Sequence, residues 1–184
     1  DYTQALEFYK LLKDRASTAE RRQLATTGML RSAAMSGNDE ETILAATAVL
    51  SDVKVSPEQE NEARHYRSKA LVNAGQMQHA AEDWKALAKD TRNIYGAEAK
   101  YRLAQYLFDS GKTAEAEKEV LDYLEVSTPH AYWLARGFVL LSDIYTKLDR
   151  KLEARQYLLS LKQNYQADDD IAGMIESRLE KLSE

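Results

Sequence analysis

The sequence predicts an all-α fold, a solenoid of antiparallel helix hairpins that ends in a capping helix. Three observations point there. A turn-type residue followed five positions later by Ala or Thr recurs four times, as Gly37/Thr42, Gly75/Ala80, Gly111/Ala116 and Asp149/Ala154. The second members are separated by 38, 36 and 38 residues, and Ala5 extends the row backwards by 37. A period of this size marks stacked helical hairpins, none of which can bury its apolar face alone. Next, the 184 residues contain two Pro and seven Gly, which leaves long stretches free of helix breakers. Finally, a large residue follows the small one by four positions in Ala5/Tyr9, Ala80/Trp84, Ala116/Val120 and Ala154/Leu158. The small residue lets two helices approach, and the large one on the same face fills the gap beside it.

In chain order, residues 2–15 read as a lone second helix, with Leu6, Tyr9 and Leu12 on one stripe and Ala5 and Phe8 on the opposite side. Hairpins are expected at 18–36 with 39–52, 57–74 with 77–90, 94–110 with 113–126, and 130–148 with 150–165. Pro57 and Pro129 both stand where a first helix begins, a position whose amide has no intrahelical partner anyway. Ser127-Thr128-Pro129-His130 accordingly reads as an N-cap followed by Pro at the first helical position. The last segment, 169–183, opens on Asp168-Asp169-Asp170, carboxylates suited to capping helix amides. Its Ile171, Met174, Ile175, Leu179 and Leu182 form one stripe, with Glu176, Arg178, Glu180 and Lys181 facing water, as in a capping helix. Residues 1–184 are thus one expected solenoid with a half repeat at its start. A lone second helix cannot bury both faces, so further repeats are expected N-terminally, or else self-association through that end.

Composition narrows the function. Hydrophobic content of 44% and charged content of 30% suit a soluble helical protein, and no apolar run approaches the roughly 20 residues of a membrane span. A net charge of −5 argues against a nucleic-acid binder. The acidic run Glu115, Glu117, Glu119, Asp122 and Glu125 reads as a solvated helix face. Cysteine is absent, so disulfides and thiolate metal sites are excluded. The histidines, His65, His79 and His130, form no His–His pair at helical spacing, and His79/Asp83 is an ordinary His–carboxylate pair. There is no Gly-rich phosphate loop or nucleophile elbow. No catalytic, cofactor-binding or metal-binding residue is assigned, and the chain is not expected to be an enzyme.

The phrasing around each pair resembles the tetratricopeptide repeat (TPR), in which an aromatic-x-x-Leu-small-x-x-Tyr helix precedes an Ala-x-x-x-aromatic helix. Phe138-x-x-Leu141-Ser142-x-x-Tyr145 is the fullest first helix, and Lys100-x-x-Leu103-Ala104-x-x-Leu107 is a weaker one. The period exceeds the usual value of about 34, which implies longer helices. Sel1-like repeats share the period but lack a match to their Gly-x-Gly punctuation. The resemblance implies a right-handed superhelix whose first helices line a concave face. Four rows would point into it: Leu24, Glu62, Glu98 and Arg136; Thr27, His65, Tyr101 and Val139; Arg31, Lys69, Gln105 and Asp143; Ala34, Val72, Phe108 and Thr146. From these, His65, Lys69, Tyr101, Gln105, Phe108 and Arg136 are the expected contacts for a protein or peptide partner. The carboxylate clamp of chaperone-binding TPR proteins fails here, because Thr27 and Tyr66 occupy its Lys and Asn positions, Glu98 replaces a Lys, and only Arg102 fits. The run Gly96-Ala97-Glu98-Ala99-Lys100-Tyr101-Arg102-Leu103-Ala104 is similar to bacterial envelope TPR proteins. That likeness implies a periplasmic or envelope-associated interaction scaffold. The alternatives are a cytoplasmic TPR adaptor and a recognition domain attached to an enzyme.

Overall fold

A computed structural model describes residues 1–183 of the chain. Among these residues there are ten α-helices and no strand, in two compact units, Asp1–Leu87 and Ala88–Glu184. The first unit holds α1 (Tyr2–Asp14), α2 (Ala19–Ser36), α3 (Asp39–Leu50), α4 (Pro57–Asn73) and α5 (Met77–Leu87). The second holds α6 (Ile94–Asp109), α7 (Thr113–Glu125), α8 (Ala131–Lys147), α9 (Lys151–Asn164) and α10 (Ile171–Lys181). Every expected helix is present, with its ends within three residues of expectation. In each unit a helix packs on the next in sequence. First helices also touch the next first helix, α2 on α4 in one unit and α6 on α8 in the other.

The turns repeat to the level of single hydrogen bonds. Gly37, Gly75, Gly111 and Asp149 all adopt left-handed backbone, at φ +73°, +73°, +77° and +60°. After each, the next amide donates to the carbonyl five residues back: Asn38 to Ala33, Gln76 to Leu71, Lys112 to Leu107 and Arg150 to Tyr145, at 2.8–3.0 Å. This bond pattern satisfies carbonyls that a helix end would leave unpaired, and it aims the second helix back along the first. The small residue five positions on is then sealed in the contact, with Thr42, Ala80, Ala116 and Ala154 all buried.

A second element of the repeat is not visible in the motif. The residue three after the small one meets the residue nineteen before it, on the hairpin's own first helix. Asp83 accepts from Arg64 at 3.1 Å, Glu119 accepts from Lys100 at 2.6 Å, and Tyr157 packs its ring against Phe138 at 6.0 Å between centroids. In α3 and α2 the same positions are the buried Ala45 and Thr26.

Cores follow from these contacts. In the first unit Leu6, Met29, Leu30, Ala33, Val49 and their neighbours form one cluster; in the second, Val139, Leu158, Leu161, Ile171 and Ile175 form another. Of the two sides of the first helix, Leu6 is buried against α2 and Phe8 on the opposite side is exposed. Two local expectations need correction. Pro57 does sit at the first helical position, behind a capping box of Ser56 and Gln59, but Pro129 does not. It precedes His130, the N-cap of α8, because the Thr128 hydroxyl donates to the Thr91 carbonyl at 2.8 Å and holds the segment outside the helix. Asp170 caps α10 without a side-chain bond, since its carboxylate is turned to Arg136; Asp169 accepts from the Ile171 amide instead.

Candidate functional site

The expected contact residues lie in both units, and each set is built by different chemistry. In the second unit, the Asn93 carboxamide caps α6 by accepting from the Gly96 amide at 2.8 Å, which sets the helix's rotation. Residues spaced by four then share a face. Arg102 donates to Glu98, the Tyr101 hydroxyl to Gln105, and the Gln105 amide to Asp109. From α8, Arg136 donates to the Tyr101 hydroxyl at 2.9 Å and to the Tyr132 hydroxyl at 3.2 Å. Its guanidinium lies 4.9 Å from the Tyr101 ring centroid and reaches Asp170 of α10 at 3.3 Å. Burial works against the charged form, but the two phenol oxygens outweigh it and raise the Arg136 pKa. Trp133 and Arg102 extend the cluster: the Trp133 ring is 5.8 Å from Tyr101, and the Arg102 guanidinium lies 5.6 Å from Trp133. Phe108 stands further along α6, under the Lys147 ammonium at 4.9 Å.

The structure thus joins Tyr101, Gln105 and Arg136 directly. It also adds Tyr132, Trp133, Arg102 and Asp170. The adjacent aromatics at 132–133 were the available signal, since neighbours on a helix cannot face the same way. Both are half-buried. Asp170 stood out in the sequence only as a capping carboxylate; its contact with Arg136 comes from the N-cap of α10, 34 residues further on.

In the first unit, Lys69 is exposed on α4 and His65 is half-buried, its ring edge-on to Tyr66 at 5.4 Å. Beside them Arg31 of α2 grips Glu62 with two bonds of 2.7 and 2.8 Å.

One of the four expected concave rows turns inward. Thr27, Tyr101 and Val139 are 7, 5 and 3% exposed. Each is covered by the next first helix: Gln59 of α4 bonds to Thr27, Arg136 of α8 to Tyr101, and Ile171 and Ile175 of α10 pack in the core cluster of Val139. Adjacent first helices meet along this row, so Tyr101 holds α6 to α8 rather than presenting its ring to a partner. The remaining rows keep exposed or half-exposed members, among them Lys69, Gln105, Phe108 and Arg136. On the same side of α8, Asp143 and Thr146 line a cleft of about 180 Å³ with Lys151, Arg178 and Lys181.

Chemically, the second-unit cluster offers flat aromatic area, fixed guanidinium charge and amide hydrogen-bonding groups, the residue types that anchor protein contacts. Among the described residues, no group of three His, Asp or Glu comes together as a metal site would require. Nor is any helix there long and apolar enough to cross a membrane. The chain matches no protein-family model, and no curated protein matches it.

Proposed function

We propose that the hairpins are tetratricopeptide-like units of a right-handed solenoid and that the chain is a non-catalytic scaffold binding a protein segment along its first helices. The observation that carries the reading is the α6–α8–α10 cluster, where Trp133, Tyr132 and Arg136 stay half-exposed and Arg102 exposed although held in place by Tyr101, Glu98 and Asp170. Pre-organised aromatic and arginine side chains lose little freedom on binding, so they supply affinity at small entropic cost. An extended peptide or a partner helix with a carboxylate and an apolar anchor suits this surface. His65 and Lys69 occupy the same register on α4 as Tyr101 and Gln105 on α6, and they are the first unit's own candidate contacts. The resemblance of residues 96–104 to bacterial envelope TPR proteins favours a cell-envelope assembly for the scaffold, with a cytoplasmic adaptor as the alternative.

The test is selection of displayed peptides against the folded chain, with affinities then measured for Arg136→Glu, Trp133→Ala and Lys69→Glu. The expected result is that the first two weaken selected peptides about tenfold or more, the usual loss at an anchor position. Peptides that bind all three variants as tightly as wild type would move the binding surface elsewhere.

A further inference from the structure

Between the end of α1, the start of α2 and the end of α3 lies a cleft of about 320 Å³. Three consecutive helices wall it, all of them in the first unit. The internal repeat shows why the space is there. Sixteen residues before the small residue, the later first helices carry Arg64, Lys100 and Phe138, whereas α2 carries Thr26. Seven after the small residue, the later second helices carry Leu87, Tyr123 and Leu161, whereas α3 carries Val49. Both of these shorter residues line the cleft. The first hairpin therefore lacks side-chain volume where the others carry long side chains, and close-packed interiors leave few such gaps.

The charges on its lining are unmatched. Lys13 and Arg22 both face the cleft. At the place of Arg22 the later hairpins have Glu60, Gly96 and Leu134. The place of Lys13 holds Leu50, Ala88 and Leu124, and only α9 has another lysine there, Lys162. That lysine meets Glu176 of the next helix, α10, at 2.6 Å. Lys13 is half-buried, and Arg22 reaches only the Ala16 carbonyl, at 3.4 Å. Among the described residues neither cation has an ion-pair partner. Asp52, the carboxylate on the lining, accepts from the Lys54 amide at 2.9 Å and pairs with neither. A half-buried ammonium without a counter-charge favours an anion that brings one. We propose that the cleft binds a carboxylate carried on a short aliphatic chain, with Lys13 and Arg22 holding the anion and Ala48 and Val49 receiving the chain. This is the group that Glu176 supplies to Lys162. It has two sources, a free small carboxylic acid and a glutamate side chain of a bound protein. The site is independent of the α6–α8–α10 cluster.

The experiment titrates glutarate, and separately the capped tripeptide acetyl-Ala-Glu-Ala-amide, into the isotopically labelled full chain and follows backbone amide shifts. Saturable shifts confined to residues 13–26 and 48–52 are expected, with none from glutaramide or acetyl-Ala-Gln-Ala-amide. Lys13→Gln and Arg22→Gln should each weaken binding about tenfold while leaving thermal unfolding unchanged. Lys118→Gln, on an exposed position of α7, should leave binding as it is. Tighter binding of the tripeptide would assign the site to a protein's glutamate, and tighter binding of glutarate to a free acid. Absent or unsaturable shifts from both probes, equal shifts from the amides, or binding insensitive to both cleft substitutions would overturn the proposal.

Discussion

The hairpin of α4 and α5 and the hairpin of α8 and α9 make the same contact with opposite chemistry. In the first, Asp83 is fully buried and takes two bonds from Arg67, at 2.7 and 2.8 Å, besides the one from Arg64. In the other, the equivalent position is Tyr157, half-buried between the rings of Phe138 and Tyr145. The turn and the buried small residue set the register in both, so the side chains at the contact are free to change. Their failure modes differ. A buried carboxylate depends on its partners, because an uncompensated charge away from water is costly, whereas rings that lose a neighbour leave only a cavity.

The largest expected effect breaks that symmetry. Arg67→Ala should cost about 3 kcal/mol in chemical denaturation, the low end for a broken buried pair, since it removes the bidentate partner of Asp83 and the bond to Thr47 while Arg64 still donates to the carboxylate. Replacing the pair together, as Arg67→Met with Asp83→Leu, should recover most of the loss. Tyr157→Ala should cost about 2 kcal/mol, below a fully buried aromatic because the ring is half-exposed. Equal losses for Arg67→Ala and Tyr157→Ala would show that burial of the charge is not what separates the two hairpins.

Register comes next in size. Ala80→Phe and Ala116→Phe, in different units, should each overpack a sealed helix contact and cost about 1–3 kcal/mol. An unchanged melting temperature for either would mean that the small residue does not set the helix spacing. Gly28→Ala belongs with these, because a Cβ there would come within 2.4 Å of the Tyr9 ring.

A smaller effect compares the turns. Gly75→Ala should destabilise by about 1 kcal/mol, and Asp149→Gly should stabilise by a somewhat smaller amount, since both backbones are left-handed and only glycine adopts that region freely. Opposite signs in thermal melts would establish that the fourth turn carries strain the others avoid.

The last effect is silent at neutral pH. Burial pushes the Tyr123 phenol up to about 12; the Thr128 hydroxyl opposes this but does not reach hydrogen-bond geometry, and the phenol oxygen has no partner. The unfolded phenol ionises near its ordinary value of 10, so stability should be intact below pH 10 and fall as pH rises towards 12. Tyr165 is raised to about 12 as well, by burial and by Asp169, so the difference between wild type and Tyr123→Phe isolates the buried group. Tyr123→Phe should flatten part of the alkaline loss and leave neutral stability equal or higher, because it removes an unpaired buried hydroxyl. An unchanged alkaline profile would refute this.

The same contrast shows what could be read in advance. Ten helices, their order and the four turns were legible because each rests on local chemistry: left-handed backbone at Gly37, Gly75 and Gly111, and helical spacing of apolar residues between them. The partner residues were only partly legible. His65, Lys69, Tyr101, Gln105, Phe108 and Arg136 were placed by register along single helices. Register fixes the face of a residue and says nothing of what the neighbouring helix lays over that face. Tyr101 therefore proved to be a contact between α6 and α8, and Thr27 and Val139 were covered in the same way.

By itself, then, the sequence determined the hairpins, because turn strain, helix propensity and apolar periodicity act over a few residues and leave marks at fixed spacing. Tertiary structure alone decided that Arg136 is shared among Tyr101, Tyr132 and Asp170, and that Asp83 is buried with Arg64 and Arg67. It also left Phe8, Leu24 and Met35 open beside a cleft. Those outcomes depend on side chains far apart in sequence arriving at one place, where charge, hydrogen bonding and packing volume have to be satisfied together.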